Sequence, residues 1–234
     1  MNPAEQHACK MAAAEAAAAL VEDGMVLGLG TGSTAAFFIT ALSRQIADRG
    51  LRVVGIPTSD HTERLAREAK IPLSGFAEHE QIDLTVDGAD EIELGTLFLI
   101  KGRGGALLRE KIVAAASRRM VVIADDTKLV DRLGSLVSVP VEIVRFGWQL
   151  TAKSLAKIGG NPALRMGKDG NPYLTDGGNF IMDCAFGPMA DPKEIAHHLD
   201  HVVGLVEHGL FLKYASEAIV AGSEGVKTYR KTAG

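Results

Sequence analysis

The sequence predicts an α/β protein built on a doubly wound, mainly parallel sheet, with a smaller α+β subdomain. Three observations predict it. Short apolar runs suited to buried strands alternate with helix-periodic segments through residues 25–124. The links between them are short and punctuated by glycine, as in repeated β-α-β units with helices on both faces of the sheet. Beyond about residue 136 the order becomes a turn-rich β-α-β-α series, which suggests a separate small unit. The pattern places a Rossmann-like domain at 1–135 and 208–234, and the subdomain at 136–207.

Residues 1–23 are alanine-rich, but Glu5, Lys10, Glu15 and Glu22 break up any signal-peptide or membrane-span core and leave an ordinary helix. A buried strand over 25–30 ends in Gly28-Leu29-Gly30. A turn follows at Thr31-Gly32-Ser33-Thr34, then a helix over 35–49. The alternation continues with strand 52–57, helix 60–70, strand 82–87, strand 97–101, helix 105–119 and strand 120–124. The second unit holds strand 137–144, helix 147–158, strand 179–184 and helix 192–202, with Trp148 as packing and the 161–172 stretch as polar turns. The tail segments 210–212 and 217–221 read as strands that return to the first sheet or complete the second.

With 25 basic against 29 acidic side chains the net charge is −4, which supplies no basic footprint for nucleic acid and no polybasic patch for a membrane. A small-molecule partner fits better. Cys9 and Cys184 lie far apart with no C-x-x-C pair, so the chain reads as a cytoplasmic protein with reduced thiols. His197, His198 and His201 share one helix, yet no third ligand accompanies them, and an exposed polar face is the simpler reading. No metal is expected.

Ligands of parallel sheets sit at the carboxyl ends of strands, and Thr31, Asp87, Lys101 and Asp125 all fall at such ends. Segments far apart in sequence therefore converge on one crevice. Gly28-x-Gly30-x-Gly32 is not G-x-G-x-x-G, and the next strand ends without an acidic residue for a ribose, which argues against a nicotinamide cofactor. Ser33 and Thr34 hydroxyls with backbone N–H groups suit a single phosphate, or equally a helix cap. Asp87 and Asp90, separated by Gly88 and Ala89, suit either a ligand or turn chemistry. In Lys101-Gly102-Arg103-Gly104-Gly105 a lysine precedes a loop whose glycines let N–H groups crowd a ligand, and Glu110 follows on the next helix. A glutamate in a charged run ordinarily faces solvent. Set opposite Lys101, it would instead take a proton from the carbon beside a carbonyl whose oxyanion the lysine stabilises.

The segments 28–35, 83–91 and 101–111, followed by Ile123-Ala124-Asp125, Lys128, 140–143, Gly159-Gly160 and 225–227 in the same order, closely resemble the ribose-5-phosphate isomerase A family over nearly the whole chain. The resemblance implies a metal-free, cofactor-free interconversion of D-ribose 5-phosphate and D-ribulose 5-phosphate through a cis-enediol, in the pentose phosphate pathway. It also implies a homo-oligomer, either a homodimer or a homotetramer. Carried over by position, it makes Glu110 the proton-transferring base. It assigns substrate binding to Thr31, Gly32, Ser33, Thr34, Asp87, Gly88, Ala89, Asp90, Lys101, Gly102, Arg103, Gly104 and Lys128, with Lys10 reaching the phosphate. Asp87 would exchange protons with the sugar oxygens, ring opening included, while Asp90 would orient hydroxyls and Lys101 would stabilise the oxyanion. Arg103 stands where some members have glycine, either as an extra anion contact or as an outward side chain. A non-catalytic sugar-phosphate sensor is the alternative, but no helix-turn-helix segment accompanies the domain as its output.

Overall fold

A computed structural model of the chain describes residues 1–231; the last three positions of the expected 208–234 segment lie outside the described residues. In chain order the elements are α1 (Pro3–Ala18), β1 (Val26–Leu29), α2 (Ser33–Arg49), β2 (Val54–Pro57), α3 (Asp60–Glu68), β3 (Leu84–Gly88), β4 (Glu91–Glu93), β5 (Leu99–Ile100), α4 (Leu107–Ala115) and β6 (Met120–Asp125). There follow β7 (Leu129–Val130), β8 (Val139–Ile143), α5 (Trp148–Lys157), β9 (Asn161–Leu164), β10 (Phe180–Ala185), α6 (Pro192–Leu199), β11 (Leu205–His208), β12 (Leu210–Phe211), β13 (Ala215–Gly222) and β14 (Gly225–Arg230). A 3-10 turn, Asp126–Lys128, links β6 to β7.

The main sheet has the order β14-β13-β6-β3-β1-β2, parallel except for the β13–β14 hairpin at its edge. Alternation along each strand sorts its two faces. Leu27, Leu29, Leu84, Val86, Val121, Ile123, Ile219 and Ala221 pack under α1, α2 and α3. Val122, Ala124, Ala218 and Val220 face the opposite way, toward α4 and a small sheet. The first helix starts with an Asn2–Glu5 capping box and Pro3 in its first turn. Its buried stripe is all alanine, Ala13, Ala14, Ala17 and Ala18, so α1 lies close against α2 and β6.

Residues 97–101 depart from the expected fold. They do not join the parallel sheet: β5 belongs to a separate sheet of order β12-β5-β4-β7, antiparallel to β4. The reason is the connection, since β4 and β5 are joined by a short loop, and parallel neighbours require a long crossover. The helix expected over 105–119 is shorter at both ends. Gly105 has φ +84 and closes a turn with Gly102, while Arg118 N–H donates to Ile82 and Thr85 N–H to Arg119, drawing 117–119 into the main sheet's border. Part of the polar stretch, Asn161–Leu164, forms the edge strand of a third sheet, β11-β8-β10-β9, where Pro162 is tolerated because an edge needs fewer donors. The tail divides: β12 pairs with β5, and only β13 and β14 extend the main sheet.

The first glycines of the 28–32 run serve close packing. A Cβ on Gly28 would lie 1.9 Å from Thr85 Oγ1 and 2.7 Å from Val113 Cγ1, so β1 can pair with β3 only without a side chain there. Gly28→Ala is expected to lower the unfolding free energy by about 1–3 kcal/mol at unchanged denaturant slope. An unmoved urea midpoint would show that Thr85 and Val113 make way freely.

Candidate active site

A cleft of about 450 Å³ opens where the carboxyl ends of β1 and β3 meet β5 and the start of α4. Lys10, Thr31, Gly32, Ser33, Thr34, Gly88, Ala89, Asp90, Lys101, Gly102, Arg103, Gly104, Glu110 and Lys128 all border it. The expected convergence of distant segments is thus present. Two members differ from expectation. Asp87 is wholly buried behind the wall, and Asp125 lies beneath the floor.

At the centre, the Lys101 ammonium touches three acceptors: the Gly88 carbonyl at 2.6 Å, Asp87 Oδ2 at 2.9 Å and Glu110 Oε1 at 3.3 Å. Lys101 and Glu110 are 2 % and 4 % exposed. Glu110 and Lys101 therefore share one wall in direct contact, not opposite walls as the sequence suggested. Asp87 is fixed by N–H donors from Thr31 (3.1 Å) and Gly88 (2.7 Å). Gly30 makes room for it, since a Cβ there would fall 2.2 Å from Asp87 Oδ1. Asp87 thus reaches the cleft only through Lys101, and a direct part in ring opening needs it to exchange that lysine for a sugar oxygen.

Two carboxylates and one ammonium leave an excess negative charge out of water. Burial raises the Glu110 pKa to about 8, with Asp87 and Asp90 adding to the rise and Lys101 opposing it. Burial also raises the Asp87 pKa, against the pull of Lys101 and its N–H donors. For Lys101 burial works against the charge, yet Asp87 and Glu110 outweigh it and hold the ammonium charged. Asp87 has two N–H donors and the closer contact to Lys101, so the extra proton falls to Glu110. Glu110 Oε2 is buried without a hydrogen-bond partner.

The far end of the cleft is built for an anion. Gly32, with φ +109, is the N-cap of α2 and offers no side-chain cap, so the first N–H groups of that helix face the opening. Lys10 Nζ stands 3.2 Å from Ser33 Oγ. Lys128 sits on the 3-10 turn that the Asp125 carboxylate caps. Thr31 contributes differently than expected: its hydroxyl is taken up by Thr58, Ser59 and Thr62 at 2.7–3.0 Å and its N–H by Asp87, leaving its methyl to the cleft. Sequence reading missed Gln6, which borders the cleft and donates to Asp125 Oδ2 at 3.3 Å. Its spacing, one helical turn before Lys10, was the available signal.

At the glycine loop, Arg103 N–H donates to Asp90 Oδ2 at 3.0 Å, which ties that loop to the β3–β4 turn. The Arg103 side chain is exposed along the cleft's rim. Away from the cleft, His201 Nδ1 lies 2.7 Å from the His197 carbonyl. No helix among the described residues is long and apolar enough to cross a membrane.

The profile of the family described as ribose 5-phosphate isomerase A (phosphoriboisomerase A) matches residues 54–225. The ribose-5-phosphate isomerase A of Synechococcus sp. (strain JA-3-3Ab) is 52% identical over 223 residues, 95% of this chain and 97% of that one. The Gloeobacter violaceus protein of the same name is 54% identical, covering 96% of each chain. Among solved structures, ribose 5-phosphate isomerase A from Methanocaldococcus jannaschii superposes with a TM-score of 0.91 at 42% identity, covering 95% of this chain and 98% of that one. A D-ribose-5-phosphate isomerase in complex with phospho-erythronic acid gives a TM-score of 0.93 at 39% identity, over 98% of this chain and all of that one. A chain this similar along nearly its full length, with its cleft lined by the same segments that carried the resemblance, belongs to the ribose 5-phosphate isomerase A family.

Proposed function

We propose that this protein interconverts D-ribose 5-phosphate and D-ribulose 5-phosphate, with Glu110 moving one proton between C2 and C1 on a single face of the opened sugar. The observation that carries this reading is the buried Lys101–Asp87–Glu110 cluster, in which the lysine pairs with Asp87 Oδ2 and Glu110 Oε1 while Glu110 Oε2, at the cleft wall, has neither a hydrogen bond nor an ion pair among the described residues. A carboxyl with a pKa raised toward neutrality is suited to take a proton and to return it. As C2 gives up its proton, charge moves onto the carbonyl oxygen. Lys101 stabilises it there, giving up one of its three contacts to do so. Asp87 keeps that ammonium charged and in place, and Asp90 orients hydroxyls.

The phosphate takes no part in bond breaking. Lys10, Ser33, Thr34, Lys128 and the N-terminus of α2 hold it, so that remote binding fixes C2 against the base. Relatives matching nearly the whole chain bear the isomerase name, and the sensor alternative has no support. A bound four-carbon phosphorylated acid in a related structure fits this division of labour, since such a molecule offers a carboxylate at one end and a phosphate at the other. A homodimer or homotetramer is supported by Phe146 and Val203, 95 % and 91 % exposed, beside Leu150 on α5.

Three outcomes are expected. Glu110→Gln lowers kcat by about 10²-fold or more with KM little changed, and kcat/KM of the parent rises with pH up to about 8 because the base must be ionised; a flat profile from pH 6 to 9 would remove the base assignment. Lys128→Ala chiefly raises KM for ribose 5-phosphate, and a fall in kcat alone would contradict the anchor role. Sedimentation velocity finds an oligomer, and a monomer at all concentrations would end that part of the reading.

A further inference from the structure

Three consecutive carbonyls of the glycine loop are gripped from outside the cleft. Arg165, just past β9, donates from Nη1 to the Gly102 carbonyl at 3.2 Å and the Arg103 carbonyl at 3.0 Å. Tyr173 donates its phenol to the Gly104 carbonyl at 3.2 Å. The remaining edge of the guanidinium is paired with Asp183 on β10, through Nε at 2.9 Å and through Nη2. The Arg165 guanidinium carbon also stands 6.0 Å from the centre of the Tyr173 ring. Gly105 leaves space for that ring, since a Cβ there would lie 2.3 Å from the Tyr173 hydroxyl. None of these three side chains figures in the chemistry above.

In a planar trans peptide the N–H points opposite to the carbonyl. Holding the carbonyls of Gly102 and Arg103 on the Arg165 side therefore turns the N–H groups of Arg103 and Gly104 away from it. The first of these is taken by Asp90 Oδ2 at 3.0 Å. The Gly104 N–H has no partner among the described residues, and Gly104 borders the cleft beside Lys101 and Glu110.

We propose that Arg165, fixed by Asp183 and assisted by Tyr173, is a positioning residue of the isomerase: it acts through the 103–104 peptide to aim the Gly104 N–H at the oxygen on which charge develops. The inference rests on the isomerase reading above. Arginine suits the task because its planar fork serves two carbonyls and a carboxylate together, whereas a lysine ammonium is a point donor.

The test uses the full chain. Arg165→Met is expected to lower kcat about tenfold or more while KM for ribose 5-phosphate stays within about twofold, because the phosphate anchor is untouched. Arg165→Lys recovers only part of the loss. Competitive inhibition by inorganic phosphate, which reads the anchor alone, stays unchanged in both variants, whereas inhibition by a phosphorylated aldonic acid weakens in step with kcat. Should Arg165→Met fail to fold, Tyr173→Phe keeps the ring and carries the same comparison. Variant turnover within twofold of the parent overturns the inference. So does a loss of phosphate inhibition in step with kcat, which marks a general loosening. If the unaltered protein makes no ketose from ribose 5-phosphate, the isomerase reading itself falls.

Discussion

Everything in this protein is arranged around one buried ammonium. Lys101 sits out of water among Asp87, Glu110 and the Gly88 carbonyl, and neither the lysine nor the carboxylates could remain there alone. Their mutual contacts offset most of the desolvation cost, yet the cluster holds two potential negative charges against one positive. Burial, with Asp87 and Asp90 adding to it against the pull of Lys101, pushes the Glu110 carboxyl toward neutrality. The first turn of α4, in which Glu110 lies, favours the ionised form in the opposite sense. A group poised between two protonation states is what a reaction that borrows and returns one proton requires.

Keeping the cluster in place takes much of the surrounding fold. Gly30 lets β1 pass over Asp87, and the N–H groups of Thr31 and Gly88 fix its carboxylate. Behind Lys101, its N–H donates to the Gly209 carbonyl at 2.9 Å, and the Phe211 ring lies 5.6 Å from Nζ. The same backing segment is tied to α4, the helix of Glu110. Lys111, the neighbour of Glu110, donates to Glu207 at 2.7 Å and to the His208 carbonyl at 2.6 Å. Burial and the nearby Lys111 charge lower the His208 pKa to about 4, so His208 is neutral at physiological pH, and its Nδ1 accepts the Leu210 N–H. Glu110 and Lys101 are thus braced through one tail segment, which explains why strands distant in sequence return to this spot.

The cleft also divides its tasks by element. Helices α1 and α2 with the turn after β6 offer cations, hydroxyls and free N–H groups, fitting an anion that is only held. The β3–β4 turn, the end of β5 with the glycine loop, and α4 bring Asp90, Lys101 and Glu110 to the same cleft. Because the glycine loop has no side chains at Gly102, Gly104 and Gly105, its shape comes from what grips it, namely Asp90 on one side and Arg165 with Tyr173 on the other.

Much of this was legible in the residues. The 2- and 3.6-residue periods gave the strands and helices of the main sheet, because burial on one or both faces leaves its mark locally. The motifs at 28–35, 83–91 and 101–111 marked the segments that line the cleft, since glycine loops and strand-end polar residues have few other uses in such close succession. What the chain alone could not reveal was decided by contacts between distant residues. Nothing near Asp87 indicates that it is buried behind Lys101, nothing near Thr31 that its hydroxyl is claimed by Thr58, Ser59 and Thr62. Strand 97–101 looks like any other strand until its short link to β4 forces it into a sheet of its own. Local sequence fixes which segments are strands, helices or loops, because that depends on neighbours along the chain; partners, burial and protonation depend on neighbours in space, and only the tertiary fold supplies those.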